Sequence, residues 1–274
     1  MTHSRITDLL IFFFLFSLSI NAQDGNIFSE KNTAGFAGFL YNTNHYRYAA
    51  EEYERLAFSF PEKSEYQIGL LKSYRLSGDY SSGISSYKGI VSKGIVPEIE
   101  VQNEYIKLNL LQGNNLNIYG MLGEFKPDSP FRNNIDLTLR MITQLKEVNI
   151  DGINTGVVDR RLLNFYDEAL SLQYKSPFLA GTFSTLLPGS GKVYSGRWQD
   201  GLISLLFITA TSFQAYRGFD RKGVKSAYGW IMSGITFGFY IGNIYGSAKS
   251  ARLYNRNLNN QYIEKVTHYY IDNL

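Results

Sequence analysis

Few residues in this chain invite a chemical reading. Pro188-Gly189-Ser190-Gly191-Lys192 carries the glycines and the lysine of a loop that cradles a phosphate. Such a loop also requires glycine at position 186 and Ser or Thr at 193, and it follows a strand. Here Leu186 and Val193 stand at those positions behind an apolar helical stretch, so nucleotide binding is not expected. Gly189-Ser190-Gly191 is also too short to be a Gly-x-Ser-x-Gly nucleophile elbow. Beyond the first 23 residues the histidines are His45 and His268, in segments with no reason to meet. The acidic pairs Glu51-Glu52 and Asp167-Glu168 are neighbours in helical stretches; they point about 100° apart and read as solvated faces rather than an acid/base pair. With no cysteine there is no thiol nucleophile, disulfide, iron–sulfur cluster or thiolate zinc site. The expectation is a non-enzymatic protein with no catalytic, cofactor-binding or metal site.

The elements around these residues follow from composition and pattern. The 274 residues suffice for one large or two small domains. Lys and Arg number 27 against 24 Asp and Glu, a net charge of +3 that is too small and too evenly spread for phosphate neutralisation, so no nucleic-acid partner is expected. Hydrophobic residues at 44% with 19% charged describe a globular chain. Residues 1–23 read as a secretory signal: a short polar stretch with Arg5, an apolar run from Leu9 to Ile20, then Ser19 and Ala22 near a cleavage site. The run is too short for a permanent span of a bilayer core of about 30 Å, and no cysteine follows it to carry a lipid.

Internal repetition begins after this leader. Tyr46, Ala49, Tyr53, Leu56 and Pro61 follow a helical stretch holding Phe36, Ala37 and Leu40. The pattern recurs 34 residues later as Tyr80, Gly83, Tyr87 and Ile90, behind Leu70, Leu71, Tyr74 and the turn Gly78-Asp79. This resembles the tetratricopeptide repeat, which implies two antiparallel helices per repeat. Ala49 and Gly83 would then be the close-contact positions, Tyr53 and Tyr87 the fillers, Pro61 the breaker and Pro97 a displaced one. Thr33 and Gln67 replace the family's early aromatic, and Ala37 and Leu71 its first-helix glycine. A third unit near 98–131 keeps Leu108, Gly113-Asn114 and Pro127 or Pro130 with slipped phase. The helical stretches 135–148 and 157–173 offer a fourth pair to cap the array, giving a repeat domain over 28–175. The resemblance turns Lys31, Tyr41, Asn42, Lys72 and Arg75 to a concave face. Tyr41, Asn42, Lys72 and Arg75 are the candidate groove for an extended or acidic peptide.

Composition changes at Ser176. Residues 201–216 and 226–248 carry no charge and would measure about 24 and 34 Å as helices. Gly234, Gly238, Gly242 and Gly246 recur at every fourth residue, and Ser250 continues the row. In a soluble helix each glycine costs roughly 1 kcal/mol relative to alanine, whereas in lipid such a ridge lets another helix, the preceding one or a second copy, approach closely. The loop between the segments holds Arg217, Arg221, Lys222 and Lys225 against Asp220 and is expected on the cytoplasmic side. Ahead of them, Pro188, Gly189, Gly191, Tyr194 and Gly196 form an expected interfacial turn, with Arg197 and Gly201 beyond. This segment resembles the Pro-Gly-x-Gly-x-x-Tyr-x-Gly pattern of small bacterial two-helix membrane domains, which occur at the end of tetratricopeptide-repeat envelope proteins. The domain would occupy 176–255, with 256–274 as a C-terminal tail.

The fold class expected is therefore mostly α: tetratricopeptide-like hairpins followed by a glycine-rich transmembrane hairpin. Function is expected to be that of a membrane-anchored scaffold, its repeats binding an unidentified protein partner in envelope assembly, secretion or membrane-protein biogenesis. The hairpin would contact membrane lipid, placing the chain in the bacterial inner membrane with its repeats in the periplasm. The alternatives are a structural subunit of a membrane complex or transporter, or a homo-oligomer, assembled through the glycine ridge, and a soluble periplasmic protein.

Overall fold

A computed structural model describes residues 28–126, 129–145 and 149–274. The expected secretory signal lies outside the described residues. Among those residues the chain is helical, without strands, and it divides into two compact units, Met1–Ile118 and Tyr119–Leu274.

The first unit consists of helical hairpins. Helices α1 (Glu30–Asn42) and α2 (Tyr46–Ser59) form one, α3 (Ser64–Ser77) and α4 (Tyr80–Ser92) the next, and α5 (Ile99–Gln112) with the start of α6 (Asn115–Met121) a third. From α1 to α5 each helix packs on its sequence neighbours, and α3 also packs on α5. Stop and start signals explain the boundaries. Gly78 at φ +79° and Gly113 at φ +77° end α3 and α5 in the left-handed conformation that an L side chain resists. Ser29 and Asp79 then accept backbone N–H groups at the starts of α1 and α4.

Residues one repeat apart do the same work in successive hairpins. The Tyr53 ring lies against Gly69, where a Cβ would come within 2.6 Å of it, while Tyr87 stacks on Tyr105 with centroids 3.9 Å apart. Gln67 Nε2 donates to the Pro61 carbonyl at 2.7 Å, and Gln102 Nε2 donates to that of Pro97 at 2.8 Å. Gln67, which occupies a position expected to hold an aromatic, thus ties down the linker between hairpins and is buried.

Two carboxylates hold this unit together in a pH-dependent way. Hydrogen bonding from the Lys63 ammonium, and secondarily from the Tyr66 hydroxyl, holds the Glu30 carboxyl below its ordinary range. The Ser82 hydroxyl and then its backbone N–H do the same for Asp79. A folded-state pKa below the unfolded value means stability that is present above the ordinary carboxylate range and lost as pH falls through the folded value. The advantage of wild type over Glu30→Gln in urea denaturation should therefore be full at pH 7 and shrink progressively as pH falls below the ordinary carboxylate range. An advantage that grew on acidification would contradict this assignment.

The second unit joins two regions through one long helix. Its first helices are α7 (Pro130–Thr143) and α8 (Arg160–Ser171). After them come α9 (Pro177–Leu186), the short α10 (Ser190–Tyr194) and α11 (Trp198–Lys222). The last is α12 (Ala227–Asn273), 47 residues and about 70 Å long. Leu137, Met141, Leu162 and Phe165 form a core with Tyr262 and Val266 of α12. The Tyr262 hydroxyl donates to the Phe165 carbonyl at 2.8 Å, and Lys265 pairs with Glu168 at 2.6 Å.

Side chains of α7 and α8 belong to the second unit's core, and the compact units divide at Ile118/Tyr119, where sequence composition suggests 175/176. Residues 256–274 are not a tail: α12 continues through them because Tyr262, Val266 and Tyr270 recur every fourth residue and are buried.

Candidate functional site

Two regions hold the residues singled out by sequence. In the first unit, Glu104 of α5 is almost fully buried and accepts from Arg75 Nε at 2.8 Å, with Lys107 Nζ at 3.6 Å from its other oxygen. Burial lowers the Lys107 pKa from its ordinary value, opposed by the attraction of Glu104; Lys72 and Arg75 are close enough to add repulsion. Tyr41 sits within the field of Arg75 and Glu104, and burial raises its hydroxyl pKa.

The structure therefore brings Tyr41, Lys72 and Arg75 together, adds Lys107, and leaves Asn42 exposed at the end of α1. Arg75 is not the free groove cation that the repeat register suggests. Its side chain is largely buried and committed to Glu104. The local trace of this cluster in the sequence is that Glu104 and Lys107 lie three apart in a stretch where Val101, Tyr105, Ile106 and Leu108 are apolar and buried. Lys31 is exposed on α1.

The second region is the turn from α9 through α10 into α11, and its glycines are sites of backbone contact. At Gly189, with φ +88°, a Cβ would lie 2.0 Å from the Gly201 carbonyl oxygen. At Gly191 it would lie 1.8 Å from the Ala180 carbonyl oxygen. Gly191 N–H donates to Ser184 Oγ at 3.0 Å, and Ser184 Oγ meets Ser247 Oγ at 2.7 Å, so α9, α10 and α12 share one buried hydroxyl node. Tyr194 accepts the Ser176 N–H at 3.2 Å and packs edge-on against Phe183, which makes it an interhelix strut rather than a free anchor. Gly196 takes φ +80° in open space, and Pro188 follows the Leu187 C-cap that ends α9.

The glycine row of α12 departs from expectation. A Cβ at Gly234, Gly238 or Gly242 would meet nothing within 4 Å, and at Gly246 only the Lys192 side chain, at 3.4 Å. The row is not a seam against α11. The backbones of those two helices come closest near their connecting loop, where a Cβ on Gly218 would be 2.7 Å from Gly229 Cα, while Phe207 and Phe239 meet through their rings farther along and α10 packs against both helices. The glycines between these two supports floor an open groove.

Burial in α9–α12 is inverted relative to a water-soluble core. Ser184, Ser195, Asn243, Ser247 and Ser250 are inside, with Gly191 and Ala180. Phe178, Leu186, Leu206, Phe213, Ile231 and Phe237 point outward, as do most of the large apolar residues of α11 and the first half of α12. Among the described residues no helix is long and apolar enough to cross a membrane, and no group of three or more His, Asp or Glu side chains could hold a metal ion. His45 contacts Thr43 Oγ1 at 3.0 Å and His268 lies 3.9 Å from Glu264, both on the surface. No protein-family model, curated protein or solved structure matches the chain.

Proposed function

We propose that this chain is a membrane-held scaffold. The hairpin of α11 and α12, wedged by α9 and α10, sits in the bacterial inner membrane, and the first unit acts as a tetratricopeptide-like periplasmic module that binds a protein partner during envelope assembly, secretion or membrane-protein biogenesis. The carrying observation is the inverted burial: serines, an asparagine and glycines inside, and exposed Phe, Leu and Ile side chains outside, along α9–α12. Exposing so continuous an apolar face to water is unfavourable at about 25 cal/mol per Å2, whereas lipid takes it up without cost and favours small-residue contacts inside.

The low apolarity of each single helix has a physical reason under this reading. Gly201, Gly218, Gly229, Asn243, Ser247 and Ser250 occupy buried positions of α11 and α12, so the apolar character resides in the outward faces of the packed assembly. Interfacial Trp198 and Tyr216 are exposed near the two ends of α11, as an aromatic belt requires. In the first unit, Tyr41 with Lys72, Arg75 and Lys107 around a single carboxylate gives a net positive patch suited to an acidic peptide segment.

Separated membranes test both halves. After alkaline carbonate extraction the full chain should stay with the inner membrane, and an epitope at Leu274 should be digested in spheroplasts. Photocrosslinkers at Tyr41 or Lys72 should trap a protein. Release by carbonate would remove the membrane reading, and crosslinks to lipid alone would remove the partner groove.

A further inference from the structure

Between α11 and α12 the glycine row floors a groove of two chambers. The deeper, of about 350 Å3, is walled by Ile203, Phe207, Ile208 and Phe239, with Gly238 and Gly242 beneath. That size falls in the range of small-molecule sites, roughly 300–1,000 Å3. The Phe207 and Phe239 rings stand 5.9 Å apart across it. Lys192, Ser204 and Asn243 also border this chamber. A second chamber, of about 400 Å3, shares Lys192, Ile203 and Ser204 and is bordered further by Arg197, Asp200, Lys249 and Ser250.

Two features mark the groove as a site rather than a gap. Asn243 is only 4% exposed, and neither its Nδ2 nor its Oδ1 has a hydrogen-bond partner. Leaving a buried carboxamide unpaired costs about 1–3 kcal/mol, which an occupant offering polar atoms would offset. Lys192 spans both chambers, with its Cε against Gly246 and its Nζ donating to Ser204 Oγ at 2.7 Å. Among the described residues neither Lys192 nor Lys249 pairs with a carboxylate; the acid at this end, Asp200, is taken by Arg197 at 2.6 Å. Cationic groups at the mouth therefore face an apolar slot.

We propose that this groove holds one anionic phospholipid, with an acyl chain in the apolar chamber and the phosphodiester in the basic one against Lys192 and Lys249. The Asn243 carboxamide meets the ester region between them. This rests on the bilayer reading above, which places the basic chamber, beside Trp198, at headgroup depth and the Phe207 level inside the hydrocarbon. Glycine at 238 and 242 keeps the floor low, and a large side chain such as leucine there would fill the slot.

The full chain purified in mild detergent and re-equilibrated with equimolar phosphatidylglycerol and phosphatidylcholine should, by native mass spectrometry, retain phosphatidylglycerol. Retention should fall about tenfold in Lys192→Gln, which removes a charge-assisted contact. It should fall similarly in Gly242→Leu, which blocks the slot without touching the charge. Flotation with phosphatidylcholine vesicles reads bilayer association separately. If no form floats, the bilayer reading fails and takes this inference with it. If every form floats while Lys192→Gln retains as much phosphatidylglycerol as wild type, this inference alone is overturned. A lipid-free dimer dispersed by Gly242→Leu would also overturn it, by placing a second copy in the groove.

Discussion

Gly189→Ala is expected to lower the melting midpoint of the protein by about 6–12 °C. Two costs combine at this position. The left-handed backbone at φ +88° penalises any L side chain by roughly 1–2 kcal/mol. The new Cβ would also stand 2.0 Å from the Gly201 carbonyl oxygen, a backbone atom of α11 that cannot rotate away. Overpacking of that kind costs typically 1–3 kcal/mol, so about 3 kcal/mol in all is a fair expectation. At about 2–4 °C per kcal/mol for a chain of this size, the stated shift follows. Gly191→Ala should be as severe, because its Cβ would meet the Ala180 carbonyl oxygen and displace the N–H that Ser184 accepts. Gly196→Ala is the control. It shares the positive φ, at +80°, but has no neighbour within 4 Å, so only the backbone cost applies and the shift should be about half as large. Thermal unfolding followed by circular dichroism in detergent measures all three. Equal shifts at 189 and 196 would mean that the turn is a conformational device alone and that the α9–α10–α11 wedge is not tightly packed.

These glycines show how far sequence alone reaches. Their spacing singles out 188–196 as a turn but does not say what crowds it. The reason is close backbone approach between three helices, visible only once Gly201 and Ala180 are brought alongside. The helical pairs of the first unit were legible because their boundaries are local: Gly78 and Gly113 stop helices through their own φ, and Tyr53 and Tyr87 repeat at one interval. The face of α12 that would pack was not legible. Its four glycines look like a seam, but α10 packs against both helices at one end and Gly218 meets Gly229 at the other, and a Cβ at Gly234, Gly238 or Gly242 would meet nothing within 4 Å. The second unit's core was hidden by distance along the chain, since Tyr262 reaches Phe165 across 97 residues. Even there a local trace existed, in the period of Tyr262, Val266 and Tyr270 within a segment otherwise rich in Asn and Arg.

Replacing Glu104 by alanine should destabilise the protein by about 3–5 kcal/mol, the second large effect expected. The carboxylate is 3% exposed and serves Arg75 and Lys107 together, and those side chains are themselves only 14% and 11% exposed. Removing it leaves two cations facing one another in a poorly hydrated pocket, where an unpaired buried charge costs several kcal/mol. The depressed Lys107 pKa shows that desolvation already outweighs attraction with Glu104 present. Without Glu104 the lysine pKa should fall further, so Glu104→Ala should recover stability as pH rises toward the ordinary lysine value, because the unfolded chain then binds the extra proton. Replacing Arg75, Glu104 and Lys107 together by methionine should be close to neutral, since it removes all three desolvation costs at once. A loss below 1 kcal/mol for Glu104→Ala would show that water reaches the cluster and that its charges are screened as on an open surface. The triple variant also separates stability from recognition. If the positive patch around Tyr41 and Lys72 is what an acidic segment meets, a folded triple-methionine protein should lose the partner that wild type crosslinks, whereas undiminished crosslinking would assign the contact to other residues of the face.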